Sequence, residues 1–340
     1  MRAGDVYLDA IGSYLPAVSP VSEAVAAGRY DPDWDADDRI ESVAVESRLS
    51  APEMAVTAGR QALARSGHQP ADISLLLHAT IYRQGPELWA SPSYVERYAV
   101  GNSAPAIEVR QGCNGGLAAL DLARGHLQLP GNNAVMVTCA DRFDGDFDRF
   151  RSNKGMVFGD GAAAVVVSRR QGFARIRSLA TGTDPTLEEM HRGDEPLAPS
   201  ARGRGTIDIA PRKRSFLRNF TAAEARRRCG EQVVGVVGEA LAEAGAQLGD
   251  VARVIVSNLG HKLLDEMYLA PLGIPVERTT WTYGRRMGHL SNSDQFIALD
   301  HLLGAGELHE GDLVLIVGMG IGFTWSAAVL DVVGLPSWIR

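Results

Sequence analysis

The chain has 340 residues, 45% of them hydrophobic, with a formal net charge of -7. That length can bury a large core, and the acidic balance gives no support to nucleic acid as the main partner. No apolar run reaches the roughly 20 residues that span a bilayer, the first residues lack the basic-then-apolar layout of a secretory leader, and three widely spaced cysteines suggest neither a disulfide framework nor a metal site. The expected setting is the cytoplasm.

Taken in chain order, the first strong signal is residues 62–80, "ALARSGHQPADISLLLHAT", which read as a helix end, a glycine stop, a turn with Asp and a buried strand. Next comes "IEVRQGCNGGLAAL" at 107–120, where Cys113 stands between an alternating run of strand type and a glycine- and alanine-rich helix. "NAVMVTCA" (133–140) is a buried strand, and in "GDGAAAVVV" (159–167) a Gly-x-Gly turn precedes another. Residues 181–220 have no sustained period and are expected to be a loop-rich insertion with one short strand around "TIDIA".

Beyond the insertion the chain repeats itself. "ALAEAGAQLGDVARVIVSN" (240–258) aligns without a gap on 62–80, and "IALDHLLGAG" (297–306) on "AALDLARGHL" (118–127). "DLVLIVGM" (312–319) matches the run at 133–140, and "GIGFTWSAAVL" (320–330) the run at 159–167. Four matches in one order indicate two homologous halves, 1–170 and 171–340, each a β-α-β-type sheet layer with helices. If the halves face each other about a pseudo-twofold axis, the helix after Cys113 and the helix after "GHLSNSD" (288–294) converge at their N-termini. A shared site is expected there.

The chain resembles the ketoacyl synthase III-type members of the thiolase superfamily, through "QGCNGGLAALDLA", "FGDGAAAVVV" and "GMGIGFTWSAAVL". The resemblance implies a five-layered αβαβα fold, a homodimer, and a cysteine that accepts an acyl group from a coenzyme A or acyl-carrier-protein thioester. It implies no cofactor beyond that thioester and no metal. The family completes its site with a His in a "HQAN"-like stretch and an Asn in a "GN"-like stretch. Here "VIVSNLGHKLL" puts Asn258 at the histidine position, with His261 three residues on, and "RRMGHLSNSDQ" puts His289 at the asparagine position. The two residue types have changed places.

Cys113 at a helix N-terminus faces unsatisfied amides that favour thiolate. The amides of Cys113 and Ile321 are candidates for the oxyanion, although the family usually has glycine where Ile321 stands. Carbon–carbon bond formation needs donors that stabilise an enolate, whereas transfer to a hydroxyl needs a base. His289 is the candidate base, Asp294 its orienting carboxylate, Asn258 a further catalytic candidate and His261 a rival base. A Cys-His-Asp set is similar to the ketoacyl-synthase-III-like acyltransferases of bacterial secondary metabolism, which acylate a sugar, another alcohol or a second carrier protein. A condensing enzyme with exchanged residues is the alternative, and a non-catalytic partner subunit the third. Arg212, Lys213 and Arg214 could receive a phosphopantetheine phosphate or a carrier's acidic face. Cys139 is expected in the core, and Cys229 as a helix-surface or packing residue.

Overall fold

The computed structural model describes residues 4–197 and 206–339. Eleven strands are formed: β1 (Tyr7–Tyr14), β2 (Val18–Pro20), β3 (Ser42–Ala44), β4 (Ile73–Ala79), β5 (Ala106–Val109), β6 (Ala134–Asp141), β7 (Gly161–Ser168), β8 (Ala174–Thr183), β9 (Val251–Ile255), β10 (Leu313–Gly320) and β11 (Thr324–Val332). Nine share one sheet in the order β5-β4-β6-β7-β1-β8-β11-β10-β9, and β2 and β3 form a hairpin apart from it.

The order repeats outward from the β1–β8 junction. On one side run β7, β6 and β4, on the other β11, β10 and β9, with β6–β7 and β10–β11 antiparallel, and β4–β6 and β9–β10 parallel. The two sides meet where Tyr7 and Leu8 lie opposite Arg175 and Ala174, with Ile176 N donating to Val6 O and Phe173 N to Leu8 O. Among the described residues β5 has no counterpart in the second half.

Strands covered on both faces need apolar residues at every position, which is why these read as continuous apolar runs. Alternate residues serve different layers. Val135, Val137, Val314 and Ile316 turn inward, onto a core that holds both central helices, Gly115–His126 and Asp294–Gly304. Ala134 and Met136 turn outward onto helix Ala51–Arg65. Leu315 and Val317 turn outward onto helix Ala222–Ala244. Two outer helix layers, two sheet halves and one central helix layer result. The fold is a mixed α/β, thiolase-like αβαβα arrangement.

Helix Ala222–Ala244 shows how local chemistry sets these layers. The Thr221 hydroxyl accepts from the Glu224 amide at its start, and Gly245, at φ 63°, ends it in the left-handed conformation. Between them Val233, Val236, Val237, Ala240 and Leu241 fall on one buried stripe.

The segment 181–220 differs from expectation. β8 runs through Thr183, short helices form at Glu189–Arg192 and Ala210–Phe216, and "TIDIA" makes no strand. Only an isolated bridge joins Ile207 to Phe147, because Ala210 and Pro211 open a helix directly afterwards. Residues 198–205 of that segment lie outside the described residues.

Candidate active site

Cys113 sits on a tight turn into the first central helix. Gly112 before it has φ 53°, and a side chain there would collide with the backbone of Ile321 from the other half. Glycine alone meets both demands. Asn114 fixes the turn from below, its amide donating to Gln111 Oε1 and to Ser326 Oγ, both at 2.8 Å.

The second half brings His289 to this turn. Its Nε2 lies 3.0 Å from Cys113 Sγ, and its Nδ1 lies 2.6 Å from Asp294 Oδ2. An ionised carboxylate only accepts, so Nδ1 carries the proton and Nε2 is left to serve the sulfur. Asp294 is held in turn by backbone amides, Leu290 N donating to Oδ1 at 2.7 Å and Asn258 N to Oδ2 at 2.8 Å. His289 N donates to Val157 O, and Gly159 N to His289 O, so the histidine segment is pinned to the first half. Cys113, His289 and Asp294 are 7%, 1% and 1% exposed. The three residues meet as a buried chain.

Burial by itself would push the His289 pKa down. The charges of Cys113 and Asp294, and the hydrogen bonds to both, outweigh that and hold it well above the usual histidine range. In the free enzyme the ring is therefore suited to stay protonated.

Asn258 does not join them through its side chain. Its Nδ2 donates to Gly288 O at 3.0 Å, its side chain packs where a Cβ on Gly284 would stand, and it does not line the cavity at Cys113. This corrects its placement among the catalytic candidates. Its backbone amide donates to Asp294 and its Nδ2 to the Gly288 carbonyl, next to His289 in sequence. His261 opens the short helix His261–Leu264 with its ring edge-on to Trp281, centroids 4.9 Å apart, and is likewise absent from the cavity wall.

The Cys113 and Ile321 amides donate to no backbone carbonyl among the described residues. Positive φ falls on Gly322 (92°) and Phe323 (57°) rather than on Ile321, so the turn accepts a side chain at 321. The basic residues of the insertion diverge. Arg212 is clamped by Glu195 at 2.7 and 3.2 Å, Lys213 donates to Asn153 Oδ1 at 2.7 Å, and Arg214 is exposed. The three therefore differ in partner and exposure, while the charges of Arg212 and Lys213 both reach His191. Cys139 and Cys229 are buried, and burial pushes both thiols up, Cys229 to about 11.

Next to Cys113 and His289 lies a cavity of about 140 Å³, walled chiefly by Phe147, Met156, Phe158, Leu259 and Ile321. Ser257, Tyr268, Asn153 and His191 also line it, and sequence reasoning missed all four. Ser257 adjoins Asn258 at a strand end and was within reach of that signal. The others come from loops and short helices with no period to reveal them.

Two family models match, both described as 3-oxoacyl-[acyl-carrier-protein] synthase III, one over residues 107–185 and its C-terminal companion over 241–332. Beta-ketoacyl-[acyl-carrier-protein] synthase III of Sphingopyxis alaskensis is 28% identical, covering 96% of this chain and 98% of its own length. A solved structure named ChlB3 and described as an acyltransferase is 38% identical with a TM-score of 0.92, covering 98% of this chain and 99% of that one. Synthase III of Aquifex aeolicus, at 23% identity, 96% and 99% coverage and TM-score 0.79, shares the fold. The chain belongs to the ketoacyl synthase III-like family of the thiolase superfamily. It is an enzyme of that family.

Proposed function

We propose that the protein is an acyltransferase that moves an acyl group through Cys113 to a hydroxyl acceptor. One observation carries this reading. The residue that touches Cys113 is a histidine held by a carboxylate, while the residue at the family's histidine position is turned away from the cavity. Similarity to a structure described as an acyltransferase supports it.

The steps follow from the geometry. The Cys113 thiolate attacks the thioester carbonyl of a carrier-protein or coenzyme A donor, and the amides of Cys113 and Ile321 receive the oxyanion. As the tetrahedral intermediate collapses, the His289 imidazolium gives its Nε2 proton to the departing thiolate. The acyl-cysteine carries no charge, so two causes that raised the His289 pKa are gone. The ring is left neutral with Nε2 free to accept. It then takes the proton of an incoming hydroxyl as that oxygen attacks the acyl carbon, and it keeps that proton as the ester forms and Cys113 leaves as the thiolate that began the cycle. Asp294 keeps Nδ1 protonated throughout.

The reading places the enzyme in the cytoplasm, as a homodimer, with no cofactor besides the thioester. No helix among the described residues is long and apolar enough to cross a membrane. The second reading is decarboxylative condensation, favoured by relatives named as synthases. A non-catalytic subunit is disfavoured by the intact Cys113–His289 contact.

The test separates loading from transfer. Intact mass should show acyl-Cys113 on wild-type and, formed more slowly because a thiolate can leave without that proton, on His289→Ala enzyme, the variant then failing to acylate an alcohol. Transfer by His289→Ala at the parental rate would rule out the base.

A further inference from the structure

The reaction cavity continues past the Cys113–His289 pair. It shares Asn153, Met156, His191, Leu259 and Met319 with a second chamber of about 210 Å³, whose remaining wall is largely Met, Leu, Ala and Phe. Into this apolar wall helix Ala210–Phe216 sets Lys213. The Asn153 carbonyl oxygen takes one of its three ammonium donors, at 2.7 Å. Loss of hydration lowers the Lys213 pKa, and no carboxylate acts against that effect.

Its neighbours are treated differently. Arg212 has Glu195 as a bidentate partner, and Arg226 and Glu266, which also line the chamber, are exposed at its rim. Lys213 is half-buried, so its ammonium gives up part of its hydration with no counter-charge bonded to it among the described residues. A leucine or methionine would avoid that cost, so the position makes physical sense if a ligand brings the missing charge.

His191 gives a second sign. Its ring stacks on Phe323 with centroids 5.2 Å apart, and its Nδ1 has no partner. Burial first, then the charges of Lys213 and Arg212, push its pKa down to about 3, so the ring stays neutral. A cation with one hydrogen bond among the described residues and a neutral imidazole thus face one apolar chamber that adjoins the Cys113 cavity.

We propose that the second chamber binds the acceptor, and that Lys213 pairs there with an anionic group, a carboxylate or phosphate, carried by the alcohol that takes the acyl group. The proposal rests on the acyl-transfer reading above. The phosphate of a carrier arm is the competing source of an anion. That phosphate lies a full pantetheine length from the sulfur, whereas Lys213 lines a chamber that shares five wall residues with the Cys113 cavity.

The experiment compares wild-type with Lys213→Met, each loaded at Cys113 beforehand. Glycolate and meta-(hydroxymethyl)benzoate are offered beside their methyl esters, and single-turnover acyl loss is followed. Wild-type should prefer the better-fitting acid over its ester by about tenfold or more, as a charge-assisted pair implies. Lys213→Met should lose that preference, and the ester serves as the control for general damage to the site. No preference in wild-type, or a preference that survives Lys213→Met, overturns the proposal. A loading arm compares acetyl-pantetheine with acetyl-phosphopantetheine. If Lys213→Met erases discrimination there instead, the anion is the arm's phosphate and the acceptor assignment falls. Calorimetric binding of the two acids to Cys113→Ala enzyme, with and without Lys213→Met, needs no turnover. Lys213-dependent binding without transfer to any alcohol would sink the acyl-transfer reading and leave the anion site standing.

Discussion

The two halves of the molecule build the same elbow and use it differently. Carried five residues upstream, the match of 118–127 with 297–306 sets Cys113 against Asn292 and Gly112 against Ser291. Both elbows keep the left-handed residue, Gly112 at φ 53° and Ser291 at φ 59°. In the first half the turn lifts Cys113 into the cavity. In the second, Asn292 is buried against the first elbow, where its side chain fills the space beside Gly115 and its amide reaches Asp141 Oδ2 at 3.3 Å. Three residues earlier the second half supplies His289 instead. A duplicated frame fixes where two turns meet, and in the proposed reaction single substitutions at the meeting point decide which half attacks and which handles protons.

The largest effect should come from Cys113→Ala, which abolishes acyl loading by intact mass. Asn292→Ala, at the equivalent turn, should load at a rate within a few-fold of wild-type. Loss of loading in Asn292→Ala would break the distinction between the elbows. Asp294→Asn should slow transfer on the order of 10²-fold, the scale of a misdirected acid–base group.

The same variant tests the proton assignment. Loading uses the His289 imidazolium, so its rate falls as pH rises through the raised His289 pKa. Removing the Asp294 charge takes away a raising cause, and the alkaline fall should move to lower pH. Single-turnover loading against pH measures it, and an unmoved profile would mean that Asp294 does not hold the proton.

Smaller effects fall on the supports. Asn258→Ala keeps the backbone amide on Asp294 and loses the bond to Gly288 O, so thermal unfolding should show a cost of about 1 kcal/mol. His78, buried between Thr138 and Gln84, has its pKa pushed down by burial to about 4. Its folded pKa is depressed, so its contribution is present above the unfolded value and is lost as pH falls from about 6.5 toward 4. His78→Gln should flatten the stability profile in that window, whatever it does to stability at neutral pH.

Much of this frame was legible in the sequence. The matched runs fall on β4 and β9, β6 and β10, and β7 and β11, because strands covered on both faces allow only apolar residues. Cys113 could be singled out by the elbow that the resemblance matches, His289 by its place at a family site position, and Asp294 by its place in the first turn of the helix that follows. Asn258 was legible as a position and not as an orientation. Its side chain answers to the Gly288 carbonyl, a long-range partner that no local pattern reveals. The insertion was misread for a related reason. "TIDIA" alternates like a strand, yet Pro211 opens a helix beside it and no neighbouring strand is offered. Lys213 looked like part of a basic surface run, and only tertiary packing takes its ammonium into the cavity.

We propose that exchanging the histidine and asparagine positions marks a change from making carbon–carbon bonds to making esters. The most direct measurement follows a preloaded acyl-Cys113 enzyme given malonyl-carrier protein and, separately, a mixture of alcohols, with carbon dioxide release recorded alongside acyl loss. Acyl loss to an alcohol with malonyl untouched is the predicted result. Carbon dioxide release coupled to a ketoacyl product would contradict it and return His289 to a condensing role.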